Sequence, residues 1–249
     1  MVRGRRVKEG MAMTDILKLI QDRQSARGPF DPERPVAAAD LRSILEAGRW
    51  APTAHNMQNF EIVAVDDPKL LEALTRLKNP LSMDFIEENW AQLSFSEEEL
   101  KRKRVGVLAT RFPSAWSDPK ATAAELEAAA RPLPTSPTML FIAYDPKRRA
   151  PASEGDFLGV ISLGCATENM WLMAASLGIG FHVVSSYAGA GVEKDVKRIL
   201  GIPESLVLVY AIRLGYPVSS AASGEYLRVR REIGDFVHHN GFGRAGRVS

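Results

Sequence analysis

Cysteine is nearly missing from this chain. Cys165 is the only one in 249 residues, so no intramolecular disulfide can form and the core must rest on hydrophobic packing. An excess of one charge is missing too. The 32 Lys and Arg against 30 Asp and Glu leave a net charge of +2. That balance gives no reason to expect nucleic acid or an anionic membrane as a partner. Histidine occurs four times, and nothing is spaced to join His55 in a metal site. The most apolar stretch is interrupted by Ser162, Thr167, Glu168, Asn169 and Ser176, well short of the roughly 20 apolar residues a membrane span needs. Walker loops, Gly-x-Ser-x-Gly elbows, secretory-signal patterns and internal repeats are all absent. Gly189-Ala190-Gly191 begins like a dinucleotide fingerprint. Lys194 stands where the third glycine belongs, and no acidic residue ends a strand about 20 residues later. No nucleophile-plus-base constellation is evident. The cytoplasm is the expected compartment.

What the chain does have is ordinary globular composition, 45% hydrophobic and 25% charged, with length enough for a sizeable core. The stretch Gly155–Ser186 organises the rest. Leu158, Val160, Ile161, Leu163, Met170, Trp171, Leu172, Met173 and Leu177 cover most of a helix's circumference, which predicts a buried central helix. Cys165 on that helix is expected to be a buried structural thiol. Gly159, Gly164, Ala166, Ala174 and Ala175 would admit a second helix closely. Gly178 and Gly180 are expected to stop it, and Phe181–Ser186 to follow as a strand. Further helices are predicted over Thr14–Gln24, ended by Gly28-Pro29, from Asp40 to about Trp50, after the cap Asp67-Pro68, and over Val192–Leu200. Further strands are predicted at Glu61–Val65, Met139–Tyr144 and Leu206–Tyr216.

Between Asn79 and Ser136 the chain is less apolar. The capping box Ser96/Glu99, the charge run Lys101–Arg104 and an alanine-rich piece predict an inserted helical region and candidate lid, anchored by Trp90, Phe95, Phe112 and Trp116. The whole reads as one α+β domain over residues 13–240 with a helical insertion at about 79–136. Residues 1–12 are expected to be a flexible basic arm, and 241–249 a flexible tail.

Chemistry is suggested by cationic and amide clusters far apart in the chain. These are Arg23/Arg27, Asn56/Gln58 and Arg228/Arg230/Arg231. Such donors suit an anionic, hydrogen-bond-rich cofactor better than a proton-transfer triad. The spacing of Arg23 and Arg27 alone is also compatible with a solvated helix exit.

The ordered set RQSAR (23–27), APTAHNMQNF (51–60), GVISLGCATENMWLMAASLGIG (159–180) and RVRREI (228–233) resembles the flavin-dependent nitroreductase family. The resemblance implies a mixed central sheet flanked by helices. It implies a homodimer with FMN at the interface, and electron transfer from NAD(P)H to a small-molecule acceptor such as a nitroaromatic or quinone. By position, Arg23, Gln24, Ser25 and Arg27 match the first flavin-binding group, with Arg23 near the phosphate and Arg27 at the flavin N1/O2 edge. There a fixed guanidinium stabilises the charge that builds on reduction. Pro52, Thr53, Ala54 and Asn56 match the loop that one subunit lays against the other's flavin. Val184, Ser185 and Ser186 match the N5 segment, and Arg230, with Arg228 or Arg231, the phosphate-binding tail.

The family loop commonly reads Asn-x-Gln-Pro-Trp, where this chain has Asn56-Met57-Gln58-Asn59-Phe60. Many classical members carry Glu-Gly where Ser185-Ser186 stand, and hydroxyls there resemble the iodotyrosine deiodinase branch. A flavin-fragmenting, dimethylbenzimidazole-forming activity, a dehalogenase-like activity and a non-catalytic flavin-binding role remain alternatives.

Overall fold

The segment Thr138–Tyr144 is apolar at nearly every position because both of its faces are covered. It is β2 of the computed structural model. Side chains alternate across a strand, so Met139, Phe141 and Ala143 enter one core cluster while Leu140 and Ile142 enter another. The other strands are β1 (Phe60–Val65), β3 (Gly180–Val184) and β4 (Val207–Gly215). The sheet order is β1-β2-β4-β3. All three pairings are antiparallel, with Phe60 opposite Tyr144, Thr138 opposite Leu214, and His182 opposite Arg213. A parallel component enters at the β3 edge, where Ser25 bridges Phe181.

The helices are α1 (Met13–Asp22), α2 (Ala38–Arg49), α3 (Pro68–Thr75), α4 (Phe157–Ser176) and α5 (Glu193–Leu200). Leu74 of α3 and Val196 of α5 cover one sheet face. Ile44 of α2 and Leu163, Met170 and Ala174 of α4 cover the other. This is an α+β arrangement. Asp67 caps α3 as expected, accepting from the Lys69 and Leu70 backbone N–H groups at 2.8 and 3.1 Å, with Pro68 opening the helix. Gly48 brings α2 close to α4, since a Cβ there would lie 2.9 Å from Met170 Cγ.

The structure describes residues 13–78, 120, 122, 124–125, 132–151, 155, 157–189, 191–218, 230, 232–244 and 246. Residues 1–12, Arg228, Arg231, and most of the expected 79–136 insertion lie outside them. So do Trp90, Phe95, Ser96, Glu99, Lys101–Arg104, Phe112 and Trp116. The chain divides into two compact units, Met1–Asn79 with Pro132–Ser223, and Pro80–Arg131 with Gly224–Ser249. The sheet and the five helices belong to the first. In the second, Thr122 and Glu125 cap each other reciprocally, and Ile233–Asp235 forms one helical turn.

Two expectations need correction. The long helix α4 is not buried all round: Ser162, Leu163, Ala166, Met170 and Ala174 are covered, while Phe157, Leu158, Val160 and Ile161 are exposed. The sheet and α2 cover one side of it, while its N-terminal apolar residues are exposed among the described residues. Cys165, on the flank between the two sides, is half-buried and not buried.

Candidate functional site

Helix α1 ends at Asp22, earlier than Gly28-Pro29 would enforce. The chain leaves the helix because the next residues pair with the sheet. Ser25 bridges Phe181 and the Ala26 N–H donates to the Phe181 carbonyl at 2.9 Å. Four residues later Phe30 turns inward. It lies against Gly180 and Gly215, which are register partners across β3 and β4. A Cβ on Gly180 would sit 2.6 Å from Phe30 Cε1, and one on Gly215 3.0 Å from its Cβ. Gly180 is therefore a seat for Phe30 and does not help to stop α4. Gly178, at φ +69, is the residue in the left-handed conformation after the helix. Backbone bonds from Asp31 N–H to the Tyr216 carbonyl (2.8 Å) and from Val218 N–H to the Pro29 carbonyl (3.1 Å) complete the attachment.

Within this pinned segment Arg23 is half-buried. Its Nε lies 3.1 Å from Glu168 Oε1 on α4, and its guanidinium sits over the Trp171 ring at 4.4 Å. Trp171 in turn stacks on Phe181, with ring centres 5.0 Å apart and planes 15° apart. Gln24 is exposed, and Ser25 and Arg27 are half-buried.

Beneath the segment lies Arg213, only 5% exposed. Its Nε donates to the Thr135 carbonyl at 2.8 Å, and its Nη2 to the Gly28 carbonyl at 3.2 Å. Its Nη1 reaches the Arg27 carbonyl at 3.5 Å and His182 Nδ1 at 3.2 Å. The Phe30 ring packs against it at 4.6 Å. Burial lowers Arg213 to about 10, which still leaves it charged at neutral pH. Burial, followed by the charges of Arg213 and Arg27, lowers His182 to about 3. The imidazole is therefore neutral at pH 7, and its Nδ1 accepts from Arg213. Sequence reasoning passed over both residues. The signal was present, since Arg213 is a lone charge in the otherwise apolar run of β4, but its partners are 31 to 186 residues away in sequence.

The loop Pro52–Gln58 is held in an unusual conformation. His55, Asn56 and Gln58 adopt φ of 50°, 54° and 44°, a region costly for residues with a Cβ and common at functional sites. Gln58 N–H donates to Thr53 Oγ1 (3.2 Å) and Gln58 Nε2 to Asn56 Oδ1 (3.1 Å). Asn59 after Gln58 is compatible with this shape, whereas a proline there would push Gln58 toward extended backbone. The Ala54 N–H donates to Ser162 Oγ on α4 at 3.1 Å. That anchor is about 9 Å along the helix axis from Glu168, where Arg23 docks.

At the end of β3, Val184 is buried, and Ser185 opens the helical turn Ser185–Ala188. Ser185 is exposed and Ser186 half-buried. The fold thus places Arg23–Arg27 and Val184–Ser186 along one sheet edge, while Pro52–Asn56 seats on α4. Arg230 is exposed and belongs to the second unit.

The nitroreductase family model matches residues 20–216, most of the chain. The chain belongs to the nitroreductase family. A relative in Archaeoglobus fulgidus, provisionally named NADH dehydrogenase/NAD(P)H nitroreductase, is 24% identical over 205 residues, covering 82% of this chain and 87% of its own. Among solved structures, the nitroreductase of Bacteroides fragilis with bound FMN aligns at TM-score 0.54 and 23% identity. It covers 91% of this chain and 99% of its own. The NADPH:FMN oxidoreductase of Vibrio harveyi, complexed with NAD+, aligns at TM-score 0.55 and 20% identity, covering 93% and 79%.

The residues present in this nitroreductase-family chain fit an anionic cofactor. Arg213 is a buried cation whose partners are three carbonyls, a neutral imidazole and an aromatic ring. Among the described residues no negative charge pairs with it, and a buried charge without a counter-ion is costly.

Proposed function

We propose that this chain is an FMN-dependent oxidoreductase. It draws electrons from NAD(P)H and passes them to an electron-poor small molecule such as a nitroaromatic or quinone, with donor and acceptor taking turns in a ping-pong cycle. The observation that carries this reading is the attachment of Arg23–Phe30 to the β3 edge beside Val184–Ser186, over the buried Arg213. Arg23, Ser25 and Arg27 would hold the phosphate and the N1/O2 edge, and Val184–Ser186 the N5 side. When bound, FMN supplies the redox chemistry. The protein holds it and offers positive charge where negative charge builds, with Arg23 supported by the Trp171 ring stacked on Phe181. The assignment of Arg230 to the phosphate rests on motif order.

We further propose a cytoplasmic homodimer in which Pro52–Asn56 serves the partner's flavin. The exposed apolar residues of α4 and of α1, which packs against it, support an interface there. The purified protein is expected to be yellow, with one FMN per subunit, and anaerobic NADPH or NADH should bleach it. Colourless protein that takes up no FMN overturns the reading. Flavin that stays oxidised with both donors points to a non-catalytic flavin carrier.

A further inference from the structure

We propose that Arg213 is the positioning residue of the flavin-binding segment: braced by His182, its guanidinium holds the carbonyls of Arg27 and Gly28 and thereby fixes Arg27 toward the cofactor. This inference rests on the FMN reading above.

The geometry is that of a clamp. Arg213 lies on β4 directly across from His182 on β3. Its planar donors reach three stretches of chain that are remote in sequence: Arg27-Gly28, Thr135 and His182. No other natural side chain offers five donors in a rigid fork. A strand residue with a purely structural task would be apolar here, like its neighbours Ile212 and Leu214, both fully buried, because burying a guanidinium without a counter-ion costs more than burying a hydrocarbon. Retaining the charge makes sense where main-chain carbonyls of a ligand-binding segment must be held from below. Gly28 and Pro29 follow Arg27 at once. Glycine has the widest backbone freedom of any residue, and Arg27-Gly28 lies between the backbone anchors at Ala26 and Pro29, so Arg213 fixes the one stretch those bonds leave to turn. His182 Nδ1 accepts from the same Nη1 that reaches Arg27, which sets the rotation of the guanidinium plane.

The test is a double-mutant cycle of Arg213→Met and Arg27→Met, read by FMN titration and by the midpoint potential of the bound flavin. Arg213→Met should weaken FMN binding by about tenfold to a hundredfold, the range of one or two charge-assisted hydrogen bonds. It should also shift the potential negative, because Arg27 is no longer held where charge builds on reduction. In the Arg27→Met background the same change should add less than about threefold and no further potential shift, since residues acting through one another are not additive. Arg213→Lys fills similar space but cannot reach three carbonyls at once. It should weaken binding too, and it carries the test if the methionine variant does not fold. A merely structural role would lower the melting temperature, leave affinity and potential unchanged, and give additive effects. If wild type binds FMN and both Arg213 variants match it in affinity and potential, the positioning role is overturned while the flavin reading stands. If wild type binds no FMN, both fall together.

Discussion

The guanidinium of Arg23 rests over the ring of Trp171, 4.4 Å from its centre. Trp171 is itself stacked on Phe181, the residue that Ser25 bridges. One aromatic pair therefore supports both the backbone and the leading cation of the segment read as flavin-binding.

Removing that support should separate stability from affinity. Trp171→Leu is expected to cost about 1–3 kcal/mol, as for truncation of a partly buried aromatic, and to weaken FMN binding several-fold by releasing Arg23. Arg23→Ala should weaken FMN binding more while costing less stability. Urea titration and flavin fluorescence measure the two. Equal flavin affinity for Arg23→Ala and wild type would remove Arg23 from the site.

A methyl group at Gly180 tests the seat of Phe30. The Cβ would meet Phe30 Cε1 at 2.6 Å, Ala26 Cβ at 2.9 Å and Pro217 Cγ at 3.0 Å. Overpacking of this kind costs about 1–3 kcal/mol. The Arg23–Phe30 segment is the element free to move, so flavin affinity should fall along with the melting temperature. Phe30→Leu in the same chain should restore part of the loss. A Gly180→Ala protein as stable as wild type would show that the ring is not confined as described.

Much of this was legible in sequence, and the failures have physical causes. Strand β2 is legible because both of its faces are buried, so it appears as a continuous apolar run, whereas the strand expected over Phe181–Ser186 stops at Val184 because Ser185 and Ser186 enter a helical turn. Asp67-Pro68 read correctly because a cap and its first turn are local. The end of α1 was misplaced because nothing near Gln24 breaks a helix; the competing partner, Phe181, is more than 150 positions away. Gly180 looks like a helix stop in sequence because the ring that requires it comes from Phe30, 150 positions away. Arg213 and His182 went unremarked for the same reason, as their role exists only once β3, β4 and the Arg27 segment meet. The motif order identified the family, but it could not supply the left-handed backbone at His55, Asn56 and Gln58.

His182 makes stability depend on pH with a definite sign. Burial, then Arg213 and Arg27, hold its folded pKa at about 3, below the value of about 6.5 in an unfolded chain. Between these values the unfolded state binds the extra proton, so this contribution is complete above about pH 6.5 and is lost as pH falls toward 3. The slope approaches about 1.4 kcal/mol per pH unit at most, and partial solvent access will reduce it. His182→Asn keeps an acceptor for Arg213 and removes the titration. Urea midpoints at pH 7.5 and 5 should therefore converge for the variant relative to wild type. The same pH dependence in both proteins would show that His182 does not titrate as described.

The uncovered side of α4 gives the sharpest test of assembly. Phe157, Val160 and Ile161 are 71%, 54% and 47% exposed, and Ile16, Leu17 and Ile20 of α1 are 45%, 55% and 41% exposed. Helix α1 packs against α4, and both helices carry exposed apolar residues on the first unit. Leaving such side chains in water forgoes about 25 cal/mol for each Å² that could be buried, and contiguous apolar patches mark interaction sites. In the proposed homodimer these residues are covered by the second copy. Val160→Glu places a charge there without disturbing the face of α4 that packs on the sheet. The variant should keep the far-ultraviolet circular dichroism of wild type and sediment as a monomer, and it should hold FMN poorly, since Pro52–Asn56 would no longer reach a neighbouring site. A wild-type chain that sediments as a flavin-saturated monomer would overturn the dimer. A Val160→Glu protein that remains a dimer would move the interface away from this side of α4.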